Sequence, residues 1–373
     1  MILVHVVLVK NTKTVMADTH SAQYYIGLMS GTSLDGVDGV IVDGDSQKII
    51  SQTYLPYSKQ LKDGLRQLTQ SGQTSLKNLA EIDIQVAEVF ADAVLLLLSN
   101  AKLSSDQIVA IGSHGQTIYH QGGRYSMQIA HGALIAEKTN ITTVADFRMQ
   151  DVAAGGQGAP LTPAYHQHML NGKLGVVVNL GGIANLTQIF SNKVVGFDTG
   201  PANTLLDNWI KRCKSLDYDR EGLWAKSGLI DQGLLEKMLL DAYFQKNIPK
   251  STGPEYFNLS WLDRYLVGNE ASEDVQRTLL ELTALSISKY IEKGADVYLC
   301  GGGVHNAFLV ERLHYLNPHS HIMDTGELGI HVDYVEAAAF AFFAQRTLAG
   351  KTSSLPAVTG AKHTRILGAI YAN

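Results

Sequence analysis

The chain has 373 residues, 45% apolar and 17% charged, long enough for two cores and too apolar for a disordered segment. Thirty basic residues against 35 acidic leave a formal net charge of −5, with no basic cluster of the kind a nucleic-acid surface needs. Two cysteines, Cys213 and Cys300, exclude a disulfide framework or a thiolate zinc cluster and fit a reducing, cytoplasmic compartment.

Met1–Val9 is apolar, but it lacks a basic leader region and is too short to span a bilayer. Residues 1–22 are therefore read as an N-terminal extension, with Met16 a candidate start. No membrane partner is expected, because no other run approaches ~18 uncharged apolar residues.

Two strands, Ile26–Met29 and Val37–Val42, flank the turn Ser30-Gly31-Thr32-Ser33-Leu34-Asp35-Gly36. Its glycines allow a tight turn, and its polar donors suit phosphate oxygens. Asp35 could hold Mg²⁺ through water; the alternative is a hairpin turn whose Asp caps its own backbone. Gln47–Tyr57 reads as strand, Ser58–Gln70 as a short helix and Ser75–Asn100 as a longer one, with apolar residues at helical spacing. Ile108–Gly112 is a buried strand ending in Ser113-His114-Gly115-Gln116-Thr117. Ala133–Lys138 reads as helix and Thr142–Ala145 as strand. A loop over Asp146–Asp151, continued by the Gly-rich Gly155–Leu161, is the expected crossing between domains.

The second half repeats the plan. A hairpin over Val176–Phe190 turns at Gly181-Gly182, followed by the strand Val194–Phe197 and a turn at Asp198-Thr-Gly-Pro. A helix starts near Asn203, whose side chain is expected to cap it. Trp224–Phe244 reads as mostly helical, Pro249–Glu255 as loop, and Asp274–Lys293 as a long helix. The strand Asp296–Leu299 runs into Cys300-Gly301-Gly302-Gly303; a helix from about Asp333 to Leu348 and a strand in Ile366–Tyr371 close the chain. Strands alternating with helices indicate α/β layering. The repeated strand, Gly turn and strand suggest a duplicated fold holding a nucleotide between its halves, or else two unrelated hairpins.

Asp198 follows a strand at the edge where open α/β sheets bind ligands, so its carboxylate could act as general base; a structural turn Asp is the alternative. Gly301–Gly303 would let a base or ribose lie close to the backbone, although no dinucleotide spacing is present. Gly350-Lys351-Thr352 fails as a Walker motif because Gln345 occupies the first Gly position. His114, His120, His131, His166 and His168 form no zinc motif, and no G-x-S-x-G elbow occurs. Glu336 by itself reads as a first-turn Glu favoured by the helix dipole.

Taken in order, Met29–Asp38, Ser113–Thr117, Asp146–Arg148, Gly155–Leu161, Asn179–Asn185, Phe197–Pro201 and the Glu336 helix resemble the anhydro-N-acetylmuramic acid kinase family, from about Tyr25 to Tyr371. The resemblance implies a duplicated actin/hexokinase-like, ribonuclease H-like α/β fold of two domains, residues 23–145 with 349–373 and residues 146–348, around an ATP cleft. It implies ATP and Mg²⁺ as cofactors, an anhydro amino sugar as small-molecule substrate, and a homodimer. Gly31, Thr32, Ser33, Leu34, Asp35, Gly36, Val37 and Asp38 would form the phosphate loop, supported by Gly181 and Gly182, with Gly301, Gly302 and Gly303 beside the nucleoside. Asp198 would activate water and Glu336 would lie at the reacting centre, while His114, Arg148, Gly158 and Pro160 face the sugar. One departure is Pro254, where the family carries Arg after the stretch matching Lys250–Gly253; if that Arg contacts ligand its role is either lost or supplied elsewhere, for example by Lys250, and changed affinity rather than lost activity is expected. Hinge motion is expected around residues 145–160 and 340–350. An ordinary carbohydrate kinase and a non-catalytic ATP-dependent switch are the competing readings.

Overall fold

The computed structural model describes residues 23–373; the extension read at residues 1–22 lies outside the described residues. The first half supplies β1 (Tyr24–Ser30), β2 (Gly36–Asp43), β3 (Ile49–Pro56), β4 (Ile108–Gln121), β5 (Tyr125–Ile129) and β6 (Thr143–Ala145). The second supplies β7 (Gly175–Leu180), β8 (Ile183–Ile189), β9 (Val194–Pro201), β10 (Asp296–Cys300) and β11 (His321–Asp324), and β12 (Ala369–Tyr371) returns to the first sheet. The first sheet runs β3-β2-β1-β4-β6-β12 with β5 attached to β4, and the second runs β9-β8-β7-β10-β11. In each, the first strand pairs antiparallel with the second and parallel with the fourth. Two sheets of the same order and polarity make this the duplicated ribonuclease H-like fold of the actin/hexokinase class.

Local chemistry explains the elements. Ser58 and Ser75 accept the backbone N–H of Leu61 and Asn78, starting the helices Lys59–Ser71 and Leu76–Ala101. These helices cover the outer face of the first sheet. Helices Asn203–Lys214 and Ser272–Ser288 cover the outer face of the second. Between the sheets lies a shared core to which β1, β7 and the helix Val335–Leu348 all contribute. Strand alternation sorts the faces: Val178 packs outward while its neighbour Val177 packs into the shared core. Among the described residues no helix is long and apolar enough to cross a membrane.

The helix Val335–Leu348 lies directly on the first sheet. A Cβ on Gly27 or Gly112 would sit 1.9 Å from the carbonyl oxygens of Ala337 and Phe340 respectively, so only glycine admits this approach.

Several expectations need correction. Residues Phe147–Ala153 form a helix, entered from Asp146 at φ 57°, where a loop was expected. The helix Thr162–Met169, with Pro163 in its first turn, was not foreseen, nor was β11. Strand β4 continues through His114 to Gln121 because β5 pairs with that extension. The stretch 224–244 holds two short helices, Leu223–Ser227 and Gln232–Leu239, and the expected helix 274–293 ends at Ser288. Asn203 does not cap its helix; its Nδ2 donates to Leu180 O (3.1 Å).

Candidate active site

The turn between β1 and β2 is braced from beneath. Ser30 Oγ accepts from the Tyr57 hydroxyl (3.0 Å) and faces Gly36 O (2.7 Å) and Gln116 Oε1 (2.6 Å). Gln116, fully buried, donates through Nε2 to Gly31 O (3.1 Å). Thr32 and Ser33 are thereby left exposed at the tip, and Ser33 Oγ donates to Asp35 Oδ1 (2.6 Å). Leu34 and Val37 turn their side chains into the outer core, so within the expected phosphate loop they offer only backbone.

Asp38, on β2, stands among carboxylates. Burial pushes it up to about 7, reinforced by the charges of Asp35, Asp333 and Glu336. Glu336, in the first turn of the helix Val335–Leu348, is also raised by burial and opposed by the Arg148 charge. Asn179, at the end of β7, donates through Nδ2 to Glu336 Oε1 (3.3 Å). Groups from both sheets therefore converge on Glu336.

Arg148 is held in place by two acceptors. Its Nε donates to His114 Nε2 (2.9 Å) and its Nη1 to Gly158 O (3.0 Å). His114 Nδ1 lies 2.8 Å from Gly115 O, so that nitrogen carries the proton and Nε2 is the acceptor. Burial first, then the Arg148 charge, lowers the His114 pKa well below its usual value and keeps the ring neutral. Asp151, fully buried, accepts from Gly158 N–H (2.8 Å) and the Thr359 hydroxyl (2.7 Å), fixing the carbonyl that Arg148 uses. Neither Asp151 nor Asn179 was singled out from sequence; the spacing that hides them is tertiary. Pro160 packs toward Gly196 of β9.

Asp198 lies within β9, which runs on to Pro201, and not in a turn as expected. The β8–β9 register slips after Ala184↔Gly200 to Asn185↔Asp198, leaving Thr199 as the extra residue of a bulge. That slip aligns Asp198, Asn185 and Asn179 as successive cross-strand partners, all part-exposed on the face toward the first sheet. Asp198 Oδ2 accepts from Thr252 N–H (2.9 Å) and Ser251 Oγ (3.2 Å). Burial raises its pKa to about 6 against the lowering effect of those bonds. Its other oxygen, Oδ1, accepts no hydrogen bond among the described residues and can face a ligand. Lys250 does not bond this carboxylate with its side chain; its ammonium donates to Tyr243 O (3.1 Å).

The triple glycine after β10 divides into two roles. Gly301 has φ 83°, and a Cβ there would meet Asn179 Oδ1 at 2.3 Å; Gly303 would strike Leu180 Cβ at 2.6 Å. Gly302 faces open space. Gly181 and Gly182 turn β7 into β8, and their carbonyls accept the N–H groups of Asn203 and Thr204 at the start of the following helix.

A duplicated actin/hexokinase-like fold with an acid-rich site between its sheets defines the class. A sequence profile described as anhydro-N-acetylmuramic acid kinase matches residues 23–373. Proteins of that name from Nitrosomonas europaea, Coxiella burnetii and Shewanella pealeana are 45%, 46% and 44% identical, each over 93% of this chain and 99%, 97% and 98% of their own length. The chain belongs to the anhydro-N-acetylmuramic acid kinase family, and it is a kinase.

Proposed function

We propose that this chain uses ATP and water to convert 1,6-anhydro-N-acetylmuramic acid into N-acetylmuramic acid 6-phosphate, a step of peptidoglycan recycling in the cytoplasm. The observation that carries the reading is the Asp198 carboxylate, fixed through Oδ2 and open at Oδ1, on the same sheet face as the Asn179–Glu336 pair. In the proposed reaction Asp198 takes a proton from water as the water oxygen bonds to C1. The C1–O6 bond breaks, and O6 takes the γ-phosphoryl group as ADP departs. A pKa of about 6 leaves Asp198 ionised at neutral pH yet basic enough to share the proton.

The supporting roles are assigned by position. The turn Gly31–Gly36, exposed at Thr32 and Ser33, offers backbone donors to ATP phosphates, and the open side of Gly302 suits the nucleoside. Arg148 has donors beyond those used on His114 and Gly158, which suit an anionic or hydroxyl group of the sugar. Among the described residues no three acidic or histidine side chains group closely enough to cage a metal, so a divalent cation here would rest on one or two carboxylates, Asp35 or Asp38, together with phosphate oxygens. Bound there, Mg²⁺ would offset phosphate charge during transfer. Residues 23–145 with 349–373 and residues 146–348 are the proposed bodies on either side of the ATP site, and the implied homodimer stands as part of this reading.

Mass spectrometry with ATP, Mg²⁺, the anhydro sugar and ¹⁸O-water tests the coupling. Phosphorylated product carrying ¹⁸O at C1 before anomeric exchange is expected. Product without the label would refute water attack and leave an ordinary carbohydrate kinase; no ATP turnover would leave the switch.

A further inference from the structure

On the face of the second sheet turned away from the cleft, a cavity of about 220 Å³ opens behind the Asp198 strand. Phe244, Leu285 and Tyr290 form its apolar walls, while Thr199, Lys250 and Lys289 supply its polar edge. Lys250 is only 8% exposed. Its ammonium donates to Tyr243 O (3.1 Å) and rides over the Tyr243 ring, 4.4 Å from the centroid. Lys289, exposed at the rim, donates to Phe244 O (3.3 Å). No carboxylate faces Lys250 among the described residues; its charged neighbours are Lys289 and Lys246. An adjoining hollow of about 390 Å³ shares Lys289 and Tyr290 and adds Lys193, with Glu292 its one acid.

A buried ammonium without a counter-ion is costly, and surrounding it with further ammonium groups adds to the cost. Carbonyl contacts lessen that cost without cancelling any charge. Burial together with Lys289 and Lys246 draws the Lys250 pKa down to about 8, so the group is still mainly cationic at neutral pH. An anion seated between Lys250 and Lys289 would supply the missing charge, and the aromatic walls would exclude water from the pair.

We propose that this cavity is a binding site for a small oxyanion, a phosphate or carboxylate group, held by Lys250 and Lys289 and separate from the kinase cleft. The site touches the base from behind. Asp198 N–H donates to Lys250 O (2.9 Å), and the Tyr243 hydroxyl donates to Asp198 O (2.8 Å). An occupant that engages the Lys250 ammonium therefore acts on the two residues that hold the Asp198 backbone.

The test is calorimetric titration of the full chain with inorganic phosphate, and in a parallel arm with succinate, at an ionic strength held constant with chloride. Saturable binding of one anion per chain is expected, and the tighter arm identifies the group. Lys250→Met and Lys289→Gln should each weaken it at least tenfold, whereas Arg148→Ala in the cleft should leave it unchanged. Lys289 is exposed, so its variant keeps the test decisive even if Lys250→Met fails to fold. Binding lost only in Arg148→Ala would place the anion in the cleft and overturn the proposal, as would no saturable binding in either arm.

Discussion

Asp198 and Asp38 are both acids raised by burial, but their surroundings set them different tasks. Asp198 has one oxygen bound and one open, the arrangement a general base needs, and its pKa of about 6 puts its protonation in an accessible range. Replacing it with Asn should cut kcat by about 10²–10⁴-fold while leaving ATP affinity within a few-fold. In the wild type, kcat/KM should fall as pH drops through about 6, because protonation removes the base. A near-normal rate in the variant, or a flat profile between pH 5 and 7, would remove Asp198 from that role. Asp38 has a folded pKa of about 7 against the ordinary 3.8, so its neutral form is the one that favours folding. That contribution is complete below about pH 4 and is lost as pH rises through 7. Asp38→Asn should therefore match the wild type in urea unfolding near pH 4 and exceed it at pH 8 by up to a few kcal/mol, each pKa unit corresponding to about 1.4 kcal/mol. A stability gap that does not widen with pH would contradict this.

At the scale of elements, the helix Val335–Leu348 decides how much of the site survives a change elsewhere. It carries Glu336 and rests on Gly27 and Gly112 with no room for a side chain. Gly27→Ala should destabilise the chain by about 3 kcal/mol or more, since backbone, not a flexible side chain, blocks the methyl group. Activity should fall with it, because the helix must move and Glu336 moves too. A Gly27→Ala protein with unchanged urea midpoint would show that the contact is softer than its geometry. Sequence reading found both hairpins, the first two helices and most strands because each is written in local periodicity. It missed the helix at Phe147–Ala153, which is short and begins from a left-handed Asp146, and mistook the end of β9 for a turn. Asp198-Thr-Gly-Pro looks like a turn locally; only its pairing with β8 and the Thr199 bulge keep it in the sheet. Asp198 was legible as a candidate from its place after a strand, and Arg148 and His114 from the family resemblance, whereas Asn179 and Asp151 take their roles only once distant segments meet.

For the molecule as a whole, the two sheets share a central core, so any closure over ligand has to bend a few connections without opening that core. The hinge expected near residues 340–350 falls within the helix Val335–Leu348, which is seated on the first sheet and has no room to bend there. The other hinge is predicted at Gly155 and Gly158, both at positive φ, after the helix Phe147–Ala153. Small-angle scattering with an ATP analogue and the anhydro sugar should show a smaller radius of gyration than the ligand-free protein. Identical scattering curves would argue for a cleft that is already closed.

Strand β12 pairs in the first sheet and the helix Val335–Leu348 packs against it, although both are encoded after the second. During synthesis the ribosome therefore releases the early strands long before their covering helix and edge strand exist. The later half can gather its five strands from one continuous stretch, but the earlier half must wait with the outer edge of β6 open, its other edge already bonded to β4, and an oily surface exposed. Birth order and completion order are reversed in this chain, and the first part made is the last to be sealed.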